Sequence, residues 1–381
     1  MTFFDQDHLQ FRETVRKFVA KEITPHSAEW ESKREIPKEL WKKMGSLGFL
    51  GFCYDEEYGG LGLNAIYSLI LAEELSKSRC GGVEVAVAVH NDMSTTYLDL
   101  LGSHEQKTTY LTPCIRGESI CAIAITEPDA GSDVAALRTN AVKEGDHYVI
   151  NGQKTFITNG YYGDVIIVAA KTDRRPNIPY GGISLFIVEK GMPGFVSSKK
   201  IEKMGMHASD TGELFFEDCQ VPAGNLLGKE GAGFKAIMKN FQKERLMAAI
   251  MSIAHCEQMI SDTIAYTKER TAFGTPINSF QANRFRIVEM ASETEMAKVF
   301  AYHCCQEFVA GHDVVKKVSM AKYLAGELAN KIAYRCTQLY GGYGYMKEYP
   351  ICGAYTNVRL HTIAGGTTEI MKEIIASKIG L

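Results

Sequence analysis

Ile123-Ala124-Ile125-Thr126-Glu127-Pro128-Asp129-Ala130-Gly131-Ser132-Asp133 is the stretch on which the reading of the fold turns. Ile123–Thr126 reads as a strand, and it runs directly into a loop punctuated by Pro128 and Gly131. Before it, from Asp5 to about Ile120, the periodicity is mostly helical: Phe11, Val15, Phe18, Val19 and Ile23 recur at helical spacing with charges between them. Ser103-His104-Glu105-Gln106 has the form of a capping box and predicts a helix running towards Leu111. After it the pattern turns to strands. Tyr148–Ile150 and Thr155–Thr158 flank Asn151-Gly152, a hairpin signal; a second Asn-Gly stands at 159–160, and β-rich runs follow at Val165–Ala169 and Ile183–Val188. Leu214–Phe216 and Val221-Pro222 end this region, and Gly228, Gly231 and Gly233 lead into a long helical run from Phe234 to Arg270. The chain therefore reads as α+β in three parts: a helical domain over 1–120, an antiparallel β domain over 121–230 and a second helical domain over 231–381.

The length of 381 residues fits this division, at about 150 residues per domain. Hydrophobic residues make up 45% and charged residues 23%, the balance of an ordinary globular chain rather than a disordered one. Lys and Arg number 42 against 45 Asp and Glu, a net charge of -3, with no basic run to supply the field that nucleic acid or an acidic membrane surface requires. The apolar stretches Leu47–Phe52, Val85–Val89, Val165–Ala170 and Leu246–Ala254 fall short of the roughly 20 residues that cross a bilayer. Met1–Asp7 is acidic and lacks the apolar core of a secretion signal, so a cytoplasmic protein without membrane insertion is expected. Ten cysteines with no C-x-x-C spacing read as free thiols in a reducing compartment.

Several motifs fail in context. Gly60-Leu61-Gly62-Leu63-Asn64-Ala65 matches a dinucleotide fingerprint, but no buried strand precedes it and no βαβ alternation follows. Gly224-Asn225-Leu226-Leu227-Gly228-Lys229 has one residue too few between its glycines for a phosphate loop, and Glu230 stands where Ser or Thr should bind magnesium. The ten histidines show no metal-ligand spacing and no G-x-S-x-G elbow occurs, which leaves no metal site and no catalytic triad to propose from motifs. What remains is the loop from Glu127 to Asp133, with hydroxyls, free amide N–H groups and a glycine, repeated in theme by Phe156-Ile157-Thr158-Asn159-Gly160, where an aromatic face stands beside a hydroxyl. A flat ring system could stack there.

These residues resemble the acyl-CoA dehydrogenase family of flavoenzymes. The resemblance continues in family order through Arg270-Thr271-Ala272-Phe273-Gly274, Gln281, Gln338-Leu339-Tyr340-Gly341-Gly342-Tyr343-Gly344-Tyr345 and Gly366-Thr367-Thr368-Glu369, and so spans essentially the whole chain. It implies that the middle domain is a β-barrel, the last a helical bundle, and the cofactor FAD. Ile123, Ala124, Ile125, Thr126 and Ser132 with Phe156, Ile157 and Thr158 would hold the isoalloxazine ring, Thr158 near the nitrogen that receives hydride. Arg270, Phe273 and Gln281 with Gln338, Leu339, Tyr340, Gly341 and Gly342 would hold the adenine and pyrophosphate end across a subunit interface of a homotetramer. Thr367 and Glu369 would close the site, and Ser132, Gln242, Arg245 and Gly365 would meet the substrate, an acyl-CoA thioester. The implied acceptor of electrons is an electron-transferring flavoprotein, and the implied setting is fatty acid β-oxidation or branched-chain acyl-CoA catabolism.

The implied reaction removes the α proton with a carboxylate while the β hydride goes to the flavin. In much of the family that glutamate stands immediately before the last Gly-Thr, where this chain has Gly365. Glu369 reads as a first-turn acid favoured by the helix dipole, with Lys372 three residues on. Glu244 projects from the stripe of Ile237, Phe241 and Ala248, and its i±3 and i±4 neighbours Phe241, Met247, Asn240 and Ala248 include no cation. A raised pKa is therefore expected of it. Read from the residues alone, it could equally be a buried carboxylate paired with another helix. The resemblance assigns it as the base, because isovaleryl-CoA and long-chain acyl-CoA dehydrogenases carry theirs in a Glu-Arg pair here and a small residue at the Gly365 position. In the family that backbone N–H and a ribityl hydroxyl polarise the thioester carbonyl. Arg245 reads either as pocket lining or as half of an interhelical ion pair. Val188–Phe195 resembles the isovaleryl enzymes and Gly365–Glu373 the long-chain ones, so both branched short-chain and medium- or long-chain acyl groups remain open.

Overall fold

Asp5 starts the first helix by accepting a hydrogen bond from the His8 amide at 2.9 Å, and the His8 ring accepts one in return from the Asp5 amide. In this computed structural model residues 3–173 and 182–381 are described; residues 1–2 and 174–181, parts of the expected first and middle domains, lie outside them. The amino-terminal helices are α1 (Gln6–Phe18), α2 (Ser27–Lys33), α3 (Lys38–Ser46), α4 (Ala65–Ser76), α5 (Gly81–Ala88), α6 (Thr95–Leu101), α7 (His104–Gln106) and α8 (Thr112–Ile115). Gly60–Asn64 is the connection into α4, and the predicted Ser103 to Gln106 capping box is present. Val15, Phe18, Trp41, Met44, Phe49 and Leu71 fill their core, and Arg12 to Glu73 at 2.6 Å with Arg16 to Glu74 at 3.1 Å latches α1 onto α4. Between α5 and α6 a wider turn at Val89–Ser94 breaks the helical register, so that Asp92 and Met93 face the long helix described below.

The middle strands are β1 (Cys121–Ala124), β2 (Asn140–Glu144), β3 (His147–Thr158), β4 (Val165–Lys171), β5 (Ile183–Glu189), β6 (Phe195–Lys200), β7 (Thr211–Pro222) and β8 (Leu226–Leu227), ordered β6-β7-β3-β2-β4-β5-β8 with β1 beside β4. The expected antiparallel barrel is corrected in two respects. β1 and β4 run parallel, as do β2 and β4 at Asn140 and Lys171. Among the described residues β6 and β8 do not pair, so the sheet is open; β8 is only two residues long, too short to carry the ladder round. The Asn151-Gly152 hairpin is also corrected. β3 runs straight through it, with the turn at Gly145 instead, and Gly152 sits at a register shift with φ +151° where a Cβ would strike Thr139. The conformational freedom that suits Asn-Gly to a turn suits it equally to a bulge.

β4 and β5 are continuous apolar runs because both faces are covered. Val165, Ile167 and Leu185 pack towards Tyr97, Leu111 and Ile237, while Ile166, Val168 and Phe186 pack inside the sheet against Tyr148 and Leu214. The carboxy-terminal helices are α9 (Gly233–Glu269), α10 (Gln281–Val309), α11 (Val315–Tyr340), α12 (Pro350–Asn357) and α13 (Thr368–Ile379), with a small ribbon, Thr271–Ala272 against Thr275–Pro276, between the first two. The 37 residues of α9 span about 55 Å. Its first turns lie on the sheet and its later ones between α4, α10 and α11, so one rod carries residues into every layer. No helix of the described residues is long and apolar enough to cross a membrane.

Candidate active site

Glu244 lies on α9 where the helix leaves the sheet, and it is buried. One turn earlier Asn240 donates from Nδ2 to Glu244 Oε1 at 2.9 Å, and the same nitrogen lies 3.4 Å from the carbonyls of Asp92 and Met93. Burial lifts the carboxyl to about 8 against the opposing pull of Asn240 and Arg245. Lys243 is turned to Asp92 at 2.9 Å; burial lowers its pKa, but Asp92 and Tyr54 more than offset that, so its charge is engaged there. Tyr97 on α6 is fully buried, its hydroxyl facing Asn240 and Glu244 yet outside hydrogen-bond geometry with either.

Arg245 is buried as well. Its guanidinium carbon stands 5.6 Å over the Phe241 ring, its Nε is without a hydrogen-bond partner, and among the described residues it makes no ion pair. The interhelical ion pair is therefore not the arrangement adopted. Lys322 on α11 feels the same guanidinium: burial first, then Arg245, depresses it to about 8. Its Nζ donates to the carbonyl of Gly366, which brings the Gly365-Gly366 turn to this end of the site. Gly365 has φ +66° and open space where a side chain would start. Gln242 stands two residues, hence about 200°, round α9 from Glu244, with Nε2 on the Met238 carbonyl, so the helix does not bring the two side chains together. Glu369 is exposed in the first turn of α13, lowered by its own amide and by Thr367, which caps that helix by accepting from the Ile370 amide.

The strand end and its loop are pinned by a buried pair. Lys154 Nζ donates to Glu127 Oε1 at 2.8 Å and to the Ile125 carbonyl at 2.9 Å. Glu127 accepts further from the amides of Arg138 at 2.5 Å and Thr139 at 2.9 Å. Burial raises Glu127, but Lys154 and these donors lower it overall. The Thr155 amide donates to the Thr126 carbonyl at 3.0 Å, which sets the end of the loop beside the start of the Phe156–Thr158 segment. Phe156 is held at φ +60° with its ring 67% exposed, an unfavourable backbone for an aromatic residue that turns the ring outward. Thr158 is half-buried, Gly131 and Ser132 are exposed, and Ala124 and Ile157 are core side chains that offer a ligand only their backbone. Asn159, also at positive φ, ties the end of β3 to the carbonyls of Ala86 and Cys121.

The second group of expected residues gathers at the far end of α9. Arg270 lies 5.5 Å over the Tyr343 ring, Phe273 is 97% exposed, and Gln281 opens α10 nearby, exposed. Gln338 is exposed; Leu339 and Tyr340 point into the helical core, Tyr340 stacked on Tyr266 at 4.1 Å, which leaves their backbone and the open Gly341 and Gly342 at the surface. From Glu244 to Arg270 is 26 residues of helix, about 39 Å. The candidate residues thus gather around Glu244, around the loop that Lys154 pins, and around Arg270. Asn240 and Tyr97 beside Glu244, and Lys154 beside Glu127, were not singled out from sequence. Asn240 carried a signal in its i−4 spacing from Glu244, whereas Tyr97 and Lys154 are placed by long-range packing.

Residues 5–118, 122–219 and 231–380 match the family domains described as acyl-CoA dehydrogenase N-terminal, middle and C-terminal domain. The chain is 43% identical over 376 residues to the long-chain specific acyl-CoA dehydrogenase of Mus musculus mitochondria, covering 99% of this chain and 87% of that one. It is 37% identical to the mitochondrial isovaleryl-CoA dehydrogenase of Pongo abelii, over 97% of this chain and 88% of the other. Among solved structures, the acyl-CoA dehydrogenase from Geobacillus kaustophilus superposes with a TM-score of 0.97 at 47% identity, over 99% of each chain.

Proposed function

The chain belongs to the acyl-CoA dehydrogenase family, an FAD-dependent oxidoreductase acting on acyl-CoA, and from that premise we propose that Glu244 is the base of its reaction. The observation that carries the assignment is a buried carboxylate at about 8 with an amide donor and no committed cation, in a chain whose usual base position is Gly365. A base of that pKa is matched to a weakly acidic α proton. The product is the trans-2-enoyl-CoA.

The residues fit the cofactor. An outward Phe156 ring, the open Gly131 and the hydroxyls of Thr126, Ser132 and Thr158 suit a flat heteroaromatic ring, while Arg270 and the unobstructed Gly341 and Gly342 suit a pyrophosphate. FAD, when bound, supplies the acceptor for the hydride leaving the β carbon. Glu244 takes and holds the α proton. The Gly365 N–H, on an open turn, polarises the thioester carbonyl and so acidifies that proton. Arg245, buried with Nε unpartnered, lines the acyl pocket.

The separation of about 39 Å along α9 between Glu244 and Arg270 supports a cofactor shared between copies. An exposed apolar row on α10, Phe285, Val288, Met296 and Val299, supports the homotetramer that would bring a second copy's Arg270 group to the ring. Ten unpaired cysteines support a reducing, cytoplasmic setting, and the family supports an electron-transferring flavoprotein as acceptor. Both the branched short-chain and the longer straight-chain classes stay in the proposal. Anaerobic titration of the yellow protein with isovaleryl-CoA and a straight-chain series tests it: bleaching of the flavin bands by one class is expected, and a Glu244→Gln protein that bleaches as fast as wild type overturns the base.

A further inference from the structure

We propose that Glu84, His255 and His361 form a binding site for a divalent first-row transition metal, with zinc the ion that the donor set suits. The three come from elements far apart in sequence: Glu84 from α5, His255 from α9 and His361 from the turn Val358–Thr362 that leads into Gly365. This is why no ligand spacing is visible along the chain.

One ligand atom of each lies within 4.8 Å of the others, and the side chains are buried, with residue exposures of 1%, 5% and 6%. His255 Nε2 and Glu84 Oε2 are 2.7 Å apart, and the two imidazole rings stand 5.3 Å apart at 60°. Two polar atoms inside the cluster have no hydrogen-bond partner, Glu84 Oε1 and His361 Nε2. Leaving both unmade is costly in a dry interior, and one cation would satisfy both. Ligands about 2 Å from a common zinc ion stand about 3.3 Å from one another, so the cluster needs shifts of little more than an ångström.

Access and neighbouring charge allow an ion there. Lys322 opposes a cation, but its ammonium is turned to the Gly366 carbonyl. His255 also lines a cleft of about 200 Å³ whose walls carry Glu31, Asp262 and Glu348 beside Arg79 and Lys347, with Arg79 paired to Asp262 at 2.6 Å, so an ion has a route in of mixed charge. Two imidazoles and one carboxylate leave a fourth position for water. Bound there, the ion clamps α5, α9 and the turn ahead of Gly365 together.

The test uses the FAD-loaded protein, stripped with chelator and then titrated with cobalt chloride and zinc chloride. Wild type is expected to bind one ion per chain, with visible ligand-field bands for cobalt, and to melt at least about 3 °C higher in zinc at 100 times Kd. His361→Gln and Glu84→Gln should each weaken cobalt at least about 10-fold. If either variant fails to fold, X-ray absorption on wild type decides: two imidazoles in the zinc shell uphold the site. No saturable binding, unchanged affinity in the folded variants, or a sulfur-dominated shell overturns it.

Discussion

Asn240 sets its amide nitrogen 2.9 Å from Oε1 of Glu244, so the donor that favours the ionised carboxylate comes from the same helix one turn earlier. Burial works in the opposite direction and wins, which leaves the acid at about 8. A hydrogen bond to a charged group contributes about 1.5–3 kcal/mol, or one to two pH units. Asn240→Leu should therefore move the alkaline-rising limb of the activity profile up by about one unit and lower turnover at pH 7 about tenfold. Turnover at pH 10 should stay near that of wild type. A loss equal at every pH would show that Asn240 acts on the fold and not on the base.

For the wild-type enzyme the same value gives the pH dependence directly. The base must be ionised to accept a proton, so log kcat/KM, which reports free enzyme, should rise with unit slope below about 8 and level off above it. A limb at the ordinary carboxylate range would place the base on an exposed acid such as Glu369, which is held low.

Glu244→Gln separates catalysis from stability. Removing the base should cost about 10²–10⁴ in turnover while FAD stays bound. The folded carboxyl is raised above its unfolded value, so the native state holds the extra proton and loses stability as pH rises from the unfolded pKa through about 8. The neutral amide is free of that loss. Glu244→Gln should thus be more stable than wild type by about 4 kcal/mol at pH 8 and about equal to it at pH 4.5, read from urea midpoints at the two pH values.

Much of this site was legible in the sequence because its physics is local. Glu244 stands out by the absence of cations at i±3 and i±4, and the first-turn place read for Glu369 is the one it takes in α13. The capping box at Ser103 and the long α9 follow from caps and periodicity, while the strand read at Ile123–Thr126 lies two residues earlier, at Cys121–Ala124. What was not legible depends on contacts across the chain. Asn151-Gly152 serves a bulge where local chemistry equally predicts a hairpin, and two parallel pairings arise from how β1 and β2 meet β4. Lys154 reads as a surface lysine until β3 is laid over Glu127.

That buried pair yields a prediction of its own. Lys154→Met removes the ammonium and leaves Glu127 buried with its remaining backbone donors, a change expected to destabilise by about 3–5 kcal/mol. Because Lys154 also holds the Ile125 carbonyl, the loop beside Phe156 should loosen. The purified variant should carry less FAD than wild type at equal protein concentration, measured by absorbance. Full FAD occupancy with an unchanged denaturation midpoint would mean the pair is dispensable to the loop.

Gly365 offers the sharpest test of how the base is placed. Its φ of +66° suits glycine, but the space where a Cβ would project is open, so a side chain there costs about 1–2 kcal/mol of strain and meets no clash. The Gly366 carbonyl, one residue on, is held by Lys322, which burial first and then Arg245, the neighbour of Glu244, depress to about 8. A carboxylate carried at 365 should therefore reach the point that Glu244 reaches from α9. The double variant Glu244→Gln with Gly365→Glu should recover turnover at least about tenfold over Glu244→Gln alone, short of wild type because the new side chain is not held by Asn240. The acidic limb of its kcat/KM profile should fall below 8, since an exposed turn lacks the burial that raises Glu244. If the double variant is as inactive as the single one while holding FAD equally, the two positions do not converge on one proton, and the exchange of Gly365 for Glu244 is not a change of base.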